Sequence, residues 1–247
     1  MKLEKRKGLI TGASSGIGQA IARSLSKEGA SVALLARRED RIQALADELG
    51  STDKPAYSIP VDLSDRQATQ DSVNSAASAL GGIDILINAA GVGRQAKLID
   101  GDIDDWQDMI DINVMALAVV TREALRHFPQ NGGHIVNISS MSGHRVPGKG
   151  GFYAATKFAV RAMSEGLRQE LRAAGNLTRV SSISPGFVDT ELLEEYFRNS
   201  GSGSHYDAIS YPILKPEEIA ELVLHQLTLP ETAEVTDILV RPTGQAT

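Results

Sequence analysis

The feature that most restricts what this chain can become is its opening. A short apolar run from Lys7 to Thr11 leads straight into Gly12, Gly16 and Gly18, and then into an apolar-periodic stretch through Ile21, Ala22 and Leu25. Buried strand, glycine turn and amphipathic helix, in that order, make the first half of a βαβ unit. In Thr11-Gly12-Ala13-Ser14-Ser15-Gly16-Ile17-Gly18 the glycines let backbone approach a pyrophosphate, and the next helix offers unpaired N–H groups and its positive dipole end. Ser14, Ser15 and Ile17 lie in the same turn and are candidate contacts. The spacing is G-x-x-x-G-x-G, not the G-x-G-x-x-G fingerprint. A tight turn without a ligand is the plain alternative.

The alternation continues. A strand from Ser31 to Ala36 ends at Arg37 and Arg38, where a dinucleotide-binding fold places the residue that reads the adenosine ribose. An acidic residue there would take both ribose hydroxyls and repel a 2′-phosphate, whereas arginines can pair with one, so NADP(H) is favoured over NAD(H). The same arginines also suit the start of a solvated helix with Glu39 and Asp40. No basic residue precedes Gly16 as a second phosphate anchor. After an amphipathic helix from Glu39 to Leu49, a strand from Tyr57 to Val61 closes at Asp62 and Leu63, candidate adenine contacts. Asp62 serves equally well as a cap for a helix from Ser64 onward. Ile83 to Asn88 is a largely apolar run, as in a central parallel strand, and it ends at Asn88-Ala89-Ala90-Gly91, where small side chains would let a cofactor lie against backbone. A helix from Ile103 to Phe128 holds Asn113, a polar side chain in need of a partner. A fifth strand, Gly133 to Ile138, delivers Ser139 to Gly143 to the same sheet edge.

With 247 residues, this pattern makes an α/β fold: a single Rossmann-type domain over 1–247, with a doubly wound, mostly parallel sheet, helices on both faces and its ligand at the carboxyl strand ends. A net charge of −6 argues against nucleic acid as a partner. Cysteine is absent and the five histidines are scattered singly, so no metal site is expected. The charged start and the lack of any apolar run of about eighteen residues point away from membranes and toward the cytoplasm.

Chemistry enters with Tyr153 and Lys157, at i and i+4 on a helix from about Phe152 to Ala174. A nearby cation favours the phenolate and brings a phenol with a pKa of about 10 toward use as a general acid or base. The same spacing also occurs on solvated helix faces.

Thr11-Gly12-x-x-x-Gly16-Ile17-Gly18, Asn88-Ala-Ala-Gly91, Asn113, Ser140, Tyr153-x-x-x-Lys157 and Pro185-Gly186 together resemble the short-chain dehydrogenase/reductase family, in its order and spacing and across nearly the whole chain. The resemblance implies a seven-stranded sheet and hydride transfer between a nicotinamide and a carbonyl or secondary alcohol. It assigns a catalytic set. Ser140 would polarise the carbonyl, Tyr153 would trade its proton, and Lys157 would hold the nicotinamide ribose and lower the Tyr153 pKa. Asn113 would sit at a local helix break and hold a proton-relaying water through its backbone carbonyl. Pro185, Gly186, Val188 and Thr190 match the loop over the carboxamide end of the ring. Ala89 departs from the family's Asn-Asn-Ala-Gly pattern. The family's habit implies a homodimer or homotetramer. Ala36-Arg37-Arg38 and the tail from Ile238 to Thr243 look more like its NADP-dependent 3-hydroxy acid (serine 3-) dehydrogenase branch.

Between Phe187 and Pro216 regular periodicity is lost around Gly201-Ser202-Gly203-Ser204, with Tyr196, Phe197, Tyr206 and Tyr211 nearby, so a substrate lid is expected at about 187–216. A surface loop without catalytic effect is the alternative. His144, Arg145 and Val146 are expected at the pocket border, with Arg145 a candidate partner for a substrate carboxylate. Competing functions are an NAD(P)-binding regulator without turnover, a 3-oxoacyl thioester reductase, and an NAD-linked dehydratase or epimerase. Retention of Ser140, Tyr153 and Lys157 speaks against the regulator.

Overall fold

The computed structural model describes residues 2–130, 132–198 and 209–246. Strand and helix alternate through β1 (Lys7–Thr11), α1 (Gly16–Lys27), β2 (Ser31–Ala36), α2 (Glu39–Leu49), β3 (Ala56–Pro60), α3 (Arg66–Leu80) and β4 (Ile85–Asn88). Next come α4 (Ile103–Ile110), a π-helical turn (Asp111–Ala116), α5 (Leu117–Leu125), β5 (His134–Ile138) and α6 (Gly151–Ala173). The chain closes with β6 (Arg179–Pro185), α7 (Glu191–Phe197), α8 (Pro216–Leu227) and β7 (Asp237–Val240).

The seven strands are ordered β3-β2-β1-β4-β5-β6-β7, and every pairing is parallel, where the sequence led us to expect a mostly parallel sheet. Successive residues of a strand face opposite layers. Ile10, Leu34, Ile87 and Val136 therefore pack with Ile21, Ile42 and Val223 from α1, α2 and α8. Their neighbours Leu9, Leu35, Leu86 and Ile135 pack on the other face with Val73 and Leu80 of α3 and Val120 of α5. Strands covered on both sides have no solvent face, which is why the middles of β1, β2 and β4 read as apolar runs. Among the described residues no helix is long and apolar enough to cross a membrane.

The strand order reverses between β1 and β4, so the connections after these two strands part and leave a crevice at their carboxyl ends. The helix expected from Ile103 to Phe128 ends at Leu125 and passes through a π turn around Asn113, the local break that the resemblance implied. One local feature differs from expectation. The cap of α3 is Asp65, which accepts the Ala68 N–H at 3.0 Å, and not Asp62.

Candidate active site

A cavity of about 830 Å³ follows the carboxyl strand ends, from the glycine turn, Arg37 and Arg38 at one end to Ser140, Tyr153 and Lys157 at the other. The turn is fixed by sterics. Gly12 has φ +68°, and a Cβ on it would stand 2.8 Å from backbone atoms of Ala89 and Ala90; a Cβ on Gly18 would run into the Gly12 carbonyl. Thr11 seals the seam with β4, its Oγ1 accepting the N–H groups of Ala89 and Ala90, each at 3.1 Å. The start of α1 stays open: Ser15 makes no side-chain cap bond and the first turn holds no acidic residue. Unpaired N–H groups beside a cradle that a Cβ would fill suit the phosphates of a dinucleotide. Ser14, Ser15, Gly16 and Ile17 all line the cavity.

Arg37 and Arg38 both line this end, but Arg38 reaches across it. Its Nη2 donates to Ser14 Oγ at 2.9 Å and to Ser15 Oγ at 2.7 Å, while Nη1 donates to Glu191 at 2.6 Å. Asp62 and Leu63 form the wall beside them. Asp62 Oδ1 accepts the Ser64 N–H at 3.0 Å and the Ser64 hydroxyl at 2.8 Å, bonds that hold its carboxyl below the usual range.

Two asparagines part company. Ala89, Ala90 and Gly91 line the cavity, but Asn88 does not. Its side chain turns inward, where Nδ2 donates to Thr121 at 2.9 Å and to Asn137 at 2.8 Å, so it ties β4 to α5 and β5. Asn113 is likewise buried, at 1% exposure, behind the wall. Its Oδ1 accepts the Val92 N–H at 2.9 Å, and its Nδ2 donates to the Val92 carbonyl at 2.9 Å and to Thr156 Oγ1 at 3.1 Å. The Thr156 hydroxyl in turn donates to the Tyr153 carbonyl at 2.8 Å, so the side chain clamps the chain after β4 to the first turns of α6.

Tyr153 and Lys157 are 7% and 4% exposed, and Lys157 Nζ lies 5.8 Å from the centre of the Tyr153 ring. The ammonium donates to the Ile138 carbonyl at 3.0 Å, at the end of β5. Burial pulls the Lys157 pKa down to about 8. Burial likewise pushes the Tyr153 phenol up, a hydrogen bond with Ser140 opposes the rise, and Tyr196 adds to it. The phenol is thus not lowered as expected from Lys157: in a dry site the cost of a phenolate dominates. Ser140 opens the turn at Met141–Gly143, its Oγ accepting the Ser142 N–H at 3.1 Å.

Pro185, Gly186, Val188 and Thr190 lie along the same cavity, and Thr190 caps α7 by accepting the Leu193 N–H at 3.4 Å. Of the three residues expected at the pocket border, Arg145 lines it, His144 turns to Asp237 at 3.2 Å, and Val146 is 64% exposed. The expected lid is partly a helix, α7, and its return is pinned by Leu214, whose N–H donates to the Phe187 carbonyl at 3.0 Å. Gly201, Ser202, Gly203, Ser204 and Tyr206 lie outside the described residues. Sequence reasoning missed Gln245, whose Oε1 accepts the Phe187 N–H at 3.2 Å and presses against Gly186, because nothing near the chain end marks it. It also missed Glu191 and Arg94, although a charged residue directly after Thr190 was a usable signal for the first.

A doubly wound sheet with a glycine cradle and a buried Tyr-Lys pair in one crevice defines a Rossmann-fold oxidoreductase. The chain belongs to the short chain dehydrogenase family, whose model matches residues 7–201, and so acts on a carbonyl or CH–OH group with a nicotinamide cofactor. Dehydrogenase/reductase SDR family member 11 of Bos taurus is 42% identical over 252 aligned residues that cover 98% of both chains, and that of Homo sapiens is 42% identical over 98% of this chain and 96% of its own. Among solved structures, the closed form of serine dehydrogenase complexed with NADP+ has a TM-score of 0.90 at 33% identity, over 98% of this chain and 96% of that one. A 3-ketoacyl-(acyl-carrier-protein) reductase from Brucella melitensis complexed with NADH has a TM-score of 0.84 at 28% identity, over 97% and 98%. Likeness of fold thus spans both nucleotides.

Proposed function

We propose that the chain is an NADP(H)-dependent reductase of a ketone and dehydrogenase of the matching secondary alcohol, with Tyr153 as general acid and base. The observation that carries the reading is that Ser140, Tyr153 and Lys157 share one cavity with the glycine turn and Arg38. When bound, the nicotinamide supplies or takes up a hydride. Gly12, Ser14, Ser15, Gly16, Ile17 and Gly18 would hold the pyrophosphate, and Asp62 and Leu63 the adenine. Ala89, Ala90, Gly91 and Lys157 would take the nicotinamide ribose, and Pro185, Gly186, Val188 and Thr190 the carboxamide. Arg38, aided by Arg37, would bind the 2′-phosphate.

In the reductive direction a C–H bond forms at the carbonyl carbon and the C=O π pair moves to oxygen. That oxygen takes the Tyr153 proton and becomes the alcohol hydroxyl, while Ser140 donates a hydrogen bond to it. A phenol that burial keeps protonated is the form this direction needs. Asn113 fixes the first turns of α6, and with them the phenol, to the floor of the site.

Arg145 bears on the substrate. Its Nε is buried without an acceptor among the described residues, and it lines the cavity near Ser140, so a carboxylate on the substrate would complete it. A 3-oxo or 3-hydroxy acid fits that demand better than a neutral ketone. α7 and residues 209–216 would form the substrate-side wall, and the assembly would be a homodimer or homotetramer in the cytoplasm.

The test is a panel of 3-hydroxy acids, β-keto esters, 3-oxoacyl thioesters and neutral ketones, followed by nicotinamide absorbance with NADPH and with NADH. Turnover with NADPH, strongest for the carboxylates, is expected. Tight nucleotide binding with no turnover on any carbonyl would point instead to a regulator.

A further inference from the structure

At the adenosine end two guanidiniums converge on one carboxylate. Arg38 Nη1 donates to Glu191 Oε2 and Arg41 Nη1 to Glu191 Oε1, both at 2.6 Å. The arginines belong to the start of α2, whereas Glu191 is the first residue of α7, 153 positions after Arg38 in the chain. The hydrogen bonds from Arg41 and Arg38 hold the Glu191 carboxyl down to about 2, so it is an anion at any working pH. All three side chains are between 39% and 49% exposed, and ion pairs so open to water add little to stability. Their effect lies in what else the arginines can bind.

Arg38 has committed its donors: Nε and Nη2 to Ser14 and Ser15, Nη1 to Glu191. A 2′-phosphate seated over those serines needs the same guanidinium edge. A phosphate carries about two negative charges against the carboxylate's one, and three acceptor oxygens against two. We infer that Glu191 is a built-in rival of the 2′-phosphate, an anion of the chain itself that holds Arg38 and Arg41 until a 2′-phosphorylated nucleotide displaces it. This rests on the NADP(H) reading.

The exchange reaches along α7. The last turn of that helix carries Tyr196, edge-on to Tyr153 with ring centres 5.6 Å apart, and Glu195, which pairs with Arg94 at 3.4 Å. Displacing Glu191 unties the first turn of the helix whose last turn roofs the phenol. A nucleotide without the 2′-phosphate leaves that tie closed.

The experiment is calorimetric binding of 2′,5′-ADP and 5′-AMP to the full chain and to Glu191→Gln and Glu191→Ala, with melting curves to show that both variants fold like the parent. Loss of the carboxylate should tighten 2′,5′-ADP by roughly three- to tenfold and leave 5′-AMP nearly unchanged. Unchanged or weaker binding of 2′,5′-ADP in both variants would overturn the proposal, because Glu191 would then orient the arginines and not compete for them. A parent protein that holds 2′,5′-ADP no better than 5′-AMP would instead bring down the NADP(H) reading, and the rivalry with it.

Discussion

The two ends of the cavity handle charge in opposite ways. At the glycine-turn end Arg38, Arg41 and Glu191 stay between 39% and 49% exposed, and the one carboxylate offsets only one of the two guanidinium charges. At the reacting end Tyr153 and Lys157 are 7% and 4% exposed, and among the described residues no carboxylate pairs with either. Water screens the first set, so each pair there is weak, exchangeable and sensitive to salt. The second set has lost its water, and burial is the main cause that moves both pKa values. One end is suited to telling nucleotides apart. The other is suited to holding a proton.

Substitutions at five positions can break or sharpen this contrast. The largest effect is expected from Tyr153→Phe, which removes the proton and little else: kcat should fall by roughly 10²–10⁴-fold while the Kd for NADPH stays within about twofold. Rate and binding falling together would mean that the two ends are not separate.

Next comes Lys157. Its folded pKa of about 8 lies below the free value of 10.5, so the unfolded chain binds the extra proton between these values and stability rises with pH across that window. Below pH 8 the charged form therefore costs folding energy, on the order of 3 kcal/mol. Lys157→Met should raise the melting temperature at pH 7, and the gain should shrink as pH climbs toward 10, even as activity is lost. In the parent, reduction should decline above about pH 8 as the ammonium deprotonates, a limb that Lys157→Arg should lack in its residual activity. A destabilised Lys157→Met variant at pH 7 would show that the ammonium is well solvated.

At the other end, Arg38→Ala should weaken NADPH by about tenfold more than NADH, with the gap narrowing as salt is added. Arg37→Ala should act the same way but more weakly, since no partner draws Arg37 over the turn among the described residues. Equal losses for both nucleotides would remove the 2′-phosphate from this end.

The smallest effect is expected between the ends. Thr11→Val deletes the acceptor for two N–H groups and should cost about 1–2 kcal/mol in urea unfolding, with NADPH and NADH affected alike. A selective loss of one nucleotide would show that the seam also takes part in recognition.

The fold was largely legible because its signals are local. Strands buried on both faces print themselves as apolar runs such as Ile85–Asn88, and the turn after β1 can be built only from residues that tolerate φ +68° and close backbone. The Tyr-Lys pair was legible for the same reason, one helical turn apart on α6. What escaped depends on packing between distant parts of the chain. That Asn88 points away from the cavity is due to Thr121 and Asn137, which no periodicity connects to it. Glu191 meets Arg38 and Gln245 meets Phe187 only because the sheet brings their loops to one edge. Spacing reveals the cation beside Tyr153 but not how dry the site is, and the upward push on the phenol comes from that dryness.

The most direct measurement is therefore the protonation of Tyr153 itself. Tyrosine labelled with 13C at Cζ gives one resonance per ring, and the one missing from Tyr153→Phe identifies the site. Burial predicts that this resonance keeps its phenol position from pH 6 through at least pH 10, with no inflection near the Lys157 value of about 8. A shift to the phenolate position between pH 7 and 9 would mean that the neighbouring ammonium, and not the loss of water, sets the proton at the reacting end.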